Sequence, residues 1–259
     1  MIERRFSAAA STYDRHARPQ RALARHVAEL LPPDLRPDRL LELGAGTGQL
    51  TRLLAERYPD ARIAATDLSE TMVAHARERF REQTHVEWKV ADARTHREKT
   101  SCPLVVSASA LHWTGNLRAT FANVARNLRP GGCFVVGLML RGTLRELREL
   151  RAEIAPEKTR TDFLPSRETV LSALAGAGFR IEEQRYAETR FAYPDASALL
   201  RALHEQGVTG GEIAPLTRGE LERLVKTYQR RFAAENGVFA TYETLALRTI
   251  AEESVREAT

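Results

Sequence analysis

Leu41-Glu42-Leu43-Gly44-Ala45-Gly46-Thr47-Gly48 joins the end of a short apolar run to the amphipathic stretch that begins at Gln49. Three glycines at alternate positions let the backbone approach a ligand where side chains would block it, and a following helix presents free N–H groups. Taken alone, the loop is also consistent with an ordinary tight turn, so its meaning depends on its surroundings. From Arg39 onward, apolar runs at 40–43, 62–66, 86–90, 104–107 and 133–138 alternate with amphipathic stretches at 49–57, 70–82 and 117–128. Pro130-Gly131-Gly132 reads as the turn that feeds the fifth run.

The alternation predicts an α/β chain with a Rossmann-like parallel sheet over about 38–140. Before it, residues 7–31 carry apolar positions at helical spacing, including Tyr13, Leu23 and Val27, and Pro19 is placed to open a second helix. After it, helices are expected at 144–154, 167–175, 196–205 and 218–234, and strands at 180–191 and 238–249. Thr217 and Glu220 have the spacing of a capping box, which sets the start of the last helix.

Composition narrows the class. With 43% hydrophobic and 28% charged residues over 259 positions, the chain suits one globular domain with an elaboration, or two small ones. Its apolar runs fall short of the roughly 18 to 20 residues that a membrane span requires. The opening Met1-Ile2-Glu3-Arg4-Arg5-Phe6 lacks a secretory apolar stretch, so a cytoplasmic location is expected. Cys102 and Cys133 show no paired spacing, and neither a disulfide nor a metal site is expected. The formal charge of +5 permits an acidic partner, although an arginine-rich surface also reads as solvation.

Two acids sharpen the glycine loop. Asp67 ends the second strand, where it can accept hydrogen bonds from both ribose hydroxyls of a nucleoside lying across the strand ends. Asp92 follows the third strand and can accept from an exocyclic adenine amine, while Ala93 offers a backbone donor to a ring nitrogen. A nicotinamide fingerprint is G-x-G-x-x-G, whereas this loop is G-x-G-x-G, which favours a methyl donor. Glu42 could orient the loop, or a ligand ammonium through water; the plainer reading is a strand-end carboxylate facing solvent.

Glu42 to Gly48, Asp67 and Asp92 together resemble the class I methyltransferases. The resemblance implies S-adenosylmethionine as donor, S-adenosylhomocysteine as product, and a seven-stranded, mostly parallel sheet whose last strand runs antiparallel. It implies one domain with a helical lid at 1–36, a donor-binding core at 38–140, and acceptor-side helices with the last two strands at 141–259. The implied donor contacts are Gln20, Glu42, Gly44, Ala45, Gly46, Gly48, Asp67, Leu68, Met72, Asp92, Ala93 and Ser107.

The flanks resemble one branch of that family, the malonyl-acyl-carrier-protein O-methyltransferases of biotin synthesis. The residues that carry this are Phe6 to Asp14, with His16 and Gln20, Ala110-Leu111-His112-Trp113 with Asn116-Leu117, and Arg141 to Leu147. Phe163-Leu164-Pro165 and Leu200-Arg201-Ala202-Leu203 leading to Gly207-Val208-Thr209 add to it. Two positions depart from the usual pattern, Ala108 for asparagine and His112 for glutamine.

The implied reaction esterifies the free carboxylate of a malonyl thioester, carried by an acyl carrier protein or by coenzyme A. A carboxylate of pKa roughly 4 is already ionised at neutral pH and needs no general base. It does need replacement for lost water, so an arginine is expected in the site. Arg201 is the first candidate and Arg141 the second; a solvated arginine on a helix face is the alternative for Arg201. Tyr13 is expected on the lid, touching the reacting groups or packing, and His112 and Trp113 are expected to shape the acceptor pocket, unless Trp113 is core. Arg218, Arg223, Lys226, Arg230 and Arg231 give the last helix a positive excess that could steer an acidic carrier. Rival readings are a methyltransferase of small free carboxylic acids of the aconitate type, an RNA methyltransferase suggested only by the basic pI near 9.5, and a non-catalytic binding protein.

Overall fold

A computed structural model describes residues 7, 12–159, 164–208 and 214–252. The expected contributions of Phe6, Ala8 to Ser11, Phe163 and Thr209 lie outside the described residues. Eight strands form one sheet: β1 (Arg39–Leu43), β2 (Arg62–Asp67), β3 (Val86–Val90), β4 (Cys102–Ala108), β5 (Leu128–Met139), β6 (Phe179–Tyr193), β7 (Ala233–Ala234) and β8 (Gly237–Ala251). The order is β3-β2-β1-β4-β5-β8-β6, with β7 paired to β8. Strands β1 to β5 are parallel, and β8 runs antiparallel between β5 and β6. The antiparallel last strand is therefore as expected, and the two-residue β7, too short to show alternation, is an addition.

The helices are α1 (Tyr13–His16), α2 (Arg18–Glu29), α3 (Gln49–Arg57), α4 (Glu70–Arg79), α5 (Leu117–Asn127), α6 (Arg145–Ile154), α7 (Arg167–Ala175), α8 (Ala196–Glu205) and α9 (Arg218–Arg231). The inner strands β4 and β5 read as apolar runs over most of their length because both faces of the sheet are covered there, whereas edge strands β3 and β6 alternate and are partly exposed. Leu104, Val106 and Val135 pack on one face, while Val105, Phe134 and Val136 pack on the other. The chain reverses its direction of progress between β1 and β4, and ligands bind open α/β sheets in the crevice at the carboxyl ends of the strands there. The glycine loop leaves β1 at that place.

Several boundaries differ from expectation for local reasons. Pro130-Gly131-Gly132 is not a turn before β5 but part of it, in a register shift where Cys102 faces Leu128 and Leu104 faces Cys133. Gly131 takes φ +68° there without a Cβ to clash. Leu144, at φ +57°, stays outside α6, and α9 stops before β7 because Ala233 and Ala234 pair back onto β8. The capping box is formed: Glu220 N donates to Thr217 Oγ1 at 3.3 Å, and Thr217 N donates to Glu220 Oε2 at 2.6 Å.

Helix α2 is a layer of the core. Leu23 and Val27 are buried against β5, and a Cβ on Gly137 would stand 2.6 Å from Val27 Cγ2, so glycine is what admits the helix so close. The second half of the expected lid is thus built into the fold, leaving the residues around Tyr13 to reach the crevice. No described helix is long and apolar enough to cross a membrane. Among the described residues no cluster of three or more potential metal ligands occurs, and both cysteines are free and buried.

Candidate active site

The loop after β1 is pinned to the end of β2. Gly44 N and Ala45 N donate to Thr66 O at 2.8 and 2.9 Å, and Gly46 N donates to Asp67 Oδ2 at 2.9 Å. Gly44 and Gly46 have φ of +72° and +55°; a Cβ on Gly44 would strike Ala110 Cβ at 2.1 Å, while one on Gly46 would meet nothing within 4 Å. Gly46 therefore opens onto a cleft of about 2200 Å³, lined also by Gly44 and Ala45. Single ligand pockets run to about 1,000 Å³, so this volume has room for two reactants.

Gly48 is a correction to the expected donor contacts. Its φ is +86° and its missing Cβ would sit 2.4 Å from Phe80 Cε2, so it makes room for an aromatic pair with Trp88 and does not line the cleft. Ser107 is the second correction: it is fully buried, donates to Leu43 O at 2.7 Å, and is absent from the cleft wall. It ties β4 to β1.

The other expected donor contacts, Gln20, Glu42, Asp67, Leu68, Met72, Asp92 and Ala93, all line the cleft. Asp67 also accepts from Ser69 N at 2.9 Å, and burial holds its carboxyl above the usual carboxylate range against these hydrogen bonds. Glu42 does not face solvent. It is 1% exposed, accepts from Thr51 Oγ1 at 2.6 Å, and burial with Asp67 nearby pushes its pKa up to about 8. Asp92 is held below the usual range by Arg94, whose Nε donates to both its oxygens at 3.0 Å.

Gln20 supplies a test of fit for the expected donor. Its Nε2 donates to Gln206 Oε1 at 2.9 Å, which leaves Gln20 Oε1 buried with no partner. An orphaned acceptor beside a wall with three carboxylates suits a ligand rich in donors, such as an ammonium with two hydroxyls and an aminopurine. The residues fit an adenosyl amino acid.

Tyr13 reaches the cleft because its neighbour Asp14 fastens the segment to the glycine loop. Asp14 Oδ1 accepts from Thr47 Oγ1 at 2.6 Å and from Gln49 Nε2 at 2.8 Å, and Arg79 pairs with Oδ2. Thr12 Oγ1 donates to Glu205 O at 2.9 Å, so the segment is also strapped to α8. Burial and the charges of Asp67 and Asp14 raise the Tyr13 phenol, which stays protonated. His112 and Trp113 line the cleft with ring centroids 5.2 Å apart. His112 Nδ1 accepts from Met139 N at 3.4 Å, and burial pushes its pKa down to about 3, so the imidazole is neutral and a poor base.

The arginines are distributed differently from expectation. Arg201 is exposed and off the cleft wall; α8 turns Leu199, Ala202 and Leu203 inward, and Leu203 is the one that lines the cleft. Two positions along a helix face nearly opposite ways, which is why Arg201 points to solvent. Arg141 does line the cleft, with its side chain exposed at the rim. Arg148 was missed. Leu144, Leu147, Arg148 and Arg151 all line the cleft, a helical stripe legible in sequence but indistinguishable there from the one through Arg145, which pairs outward with Glu188. Ser109 was also missed: it lines the cleft at φ +59°, with its hydroxyl buried and unpartnered. Non-glycine residues in that region mark strained positions held by their surroundings, and a lone serine gives no sequence signal for it.

A family profile described as a methyltransferase domain matches residues 40–132, which span β1 to the start of β5. A putative methyltransferase structure from Bacillus halodurans superposes with TM-score 0.62 at 17% identity, covering 90% of this chain and 99% of that one. A geranyl diphosphate methyltransferase solved with SAM superposes at TM-score 0.54 and 19% identity, covering 89% and 84%. Strand order, glycine loop and strand-end acids define a Rossmann-like class I methyltransferase. In sequence, the chain is 34% identical to a malonyl-[acyl-carrier protein] O-methyltransferase of Geobacter sulfurreducens over 93% of this chain and 97% of the relative. A protein of the same name from Hahella chejuensis is 32% identical over 92% and 85%. The chain belongs to the malonyl-[acyl-carrier protein] O-methyltransferase family.

Proposed function

We propose that this enzyme uses S-adenosylmethionine to esterify the free carboxylate of a malonyl group carried by acyl carrier protein, an early step of biotin synthesis. The observation that carries the reading is the division of charge in the cleft. Walls from the ends of β1, β2 and β3 bring Glu42, Asp67 and Asp92, the last paired with Arg94, whereas the wall after β5 brings Arg141, Arg148 and Arg151. Arg118 and Glu168 line the cleft besides. A cationic donor suits the first wall and an anionic acceptor the second.

Bound in the cleft, the donor supplies an electrophilic methyl on a sulfonium. Gln20, Glu42 and Asp67 hold its polar groups, Gly46 lets it approach the backbone, and Met72 gives it an apolar contact. Tyr13 and the strapped segment exclude water. His112, neutral and buried, is unsuited to take a proton, and a carboxylate nucleophile has none to give. Positioning and desolvation remain as the sources of rate. Transfer consumes one positive and one negative charge, so a site of low dielectric favours the partly neutralised transition state over the separated ions.

The carrier would meet the rim. On α9, Arg218 pairs with Glu222 and Arg231 with Glu153, while Arg223, Lys226 and Arg230 stand exposed as a positive face for an acidic protein. The reading places the enzyme in the cytoplasm. Methyl transfer from labelled donor to malonyl-carrier protein, malonyl-coenzyme A, acetyl-carrier protein and free tricarboxylic acids tests it. Ester formation on the malonyl thioesters alone is expected; turnover of the free acids in preference to them would overturn it.

A further inference from the structure

We propose that Arg148 receives the free carboxylate of the acyl acceptor and makes the enzyme choose a malonyl over an uncharged acyl group. The assignment rests on the carboxyl-methylation reading above and names the residue that gives it specificity.

Arg148 projects from α6 into the cleft, and its Nη1 is buried with no hydrogen-bond partner. That donor is left unsatisfied until an acceptor arrives, and because a guanidinium stays charged in proteins an anionic acceptor suits it best. Glu149, Glu146 and Glu243 act on Arg148 through charge alone, Glu149 from an exposed position, and Glu146 and Glu243 are committed elsewhere. Glu146 accepts from Thr241 N and Oγ1, and Glu243 accepts from Gly142 N and from Tyr186 OH. The neighbouring cleft arginine is not free in the same way, because Arg151 donates to Lys158 O at 3.2 Å and to Ala214 O at 2.8 Å. Arg141 adds positive charge close enough to act on Arg148, and two cations sharing a wall favour an anion between them.

The chemistry fits one carboxylate. The C–O bond forms from a carboxylate lone pair as the C–S bond breaks, the electron pair passes to sulfur, and no proton moves. Arg148 holds the acceptor while leaving a lone pair of the attacking oxygen toward the methyl. The ester formed carries no charge, so the same guanidinium that recruits the acid loses its hold on the product.

The test compares wild type with Arg148→Ala, Arg148→Gln and Arg148→Lys. Transfer to malonyl-carrier protein is measured with acetyl-carrier protein as competitor, alongside S-adenosylhomocysteine binding by calorimetry and thermal melting. Loss of a hydrogen bond to a charged group predicts that kcat/KM falls about tenfold to a hundredfold in the alanine and glutamine variants, with the lysine variant between. Affinity for S-adenosylhomocysteine and the melting temperature should hold, and the preference for malonyl over acetyl, read as the ratio of the acetyl-carrier inhibition constant to the malonyl-carrier KM because acetyl has no carboxylate to methylate, should collapse. An active wild type whose alanine and glutamine variants keep kcat/KM and that preference overturns the assignment. A wild type inactive on malonyl thioesters instead overturns the carboxyl-methylation reading itself.

Discussion

Replacing Glu42 with glutamine should abolish a proton that the enzyme releases when it binds S-adenosylhomocysteine. Glu42 is 1% exposed, and burial pushes its pKa up to about 8, with Asp67 adding to the rise and Thr51 opposing it. At pH 7 the empty site therefore holds Glu42 about nine-tenths protonated. A ligand ammonium on the same wall stabilises the ionised form, so binding should release about 0.9 proton at pH 7 and about 0.5 at pH 8. Affinity should weaken about tenfold per unit as pH falls below 8. The sign for stability is the reverse of an ion-paired acid. With a pKa raised above the unfolded value of 4.5, the group disfavours folding above that pH, by about 3 kcal/mol at pH 7. The ligand-free glutamine variant should accordingly melt higher than wild type at pH 7, and the gain should vanish below pH 4.5. Calorimetric titration in buffers of different ionisation enthalpy counts the protons. Equal release by wild type and Glu42→Gln, or none by wild type, would refute the reasoning.

Gly46→Ala and Gly48→Ala should separate: both adopt a left-handed backbone at about 1 to 2 kcal/mol, but the first should mainly weaken S-adenosylhomocysteine binding, while the second adds overpacking of about 1 to 3 kcal/mol against Phe80 and mainly lowers the melting temperature. Asp14→Ala removes the acceptor of Thr47, Gln49 and Arg79; about 1 to 2 kcal/mol of stability and the protection of the Tyr13 segment from protease by bound ligand should be lost together. His112, with a folded pKa of about 3 against 6.5 unfolded, destabilises the fold increasingly as pH drops from 6.5 towards 3, so His112→Gln should flatten the acid side of a melting-temperature profile. Charge reversal at Arg223, Lys226 and Arg230 should raise KM for the carrier-bound substrate and reduce its salt dependence, with little change for malonyl-coenzyme A.

The core was legible because its signals are local. An inner parallel strand buried on both faces reads as a short apolar run and the edge strand β3 as an alternating one, so all five early strands stand where those segments lie. A backbone that turns under a ligand needs glycine, and the acids at the next two strand ends fall on the same crevice. Equal spacing concealed different roles. Gly46 faces the cleft while Gly48 faces Phe80, because one alternate position of a loop points outward and the next into packing.

By itself, the sequence determined the early strands, the acids at their ends and the family, since each rests on neighbours in the chain or on periodicity. Tertiary structure alone decided which arginine enters the site, because that depends on how α6 and α8 rotate against the sheet. One residue of rotation on a helix is about 100°. That angle carries Arg201 to solvent and Arg148 to the cleft; separately, the packing of α3 on β1, with Thr51 bonded to Glu42, buries a carboxylate that the sequence allowed to be solvated.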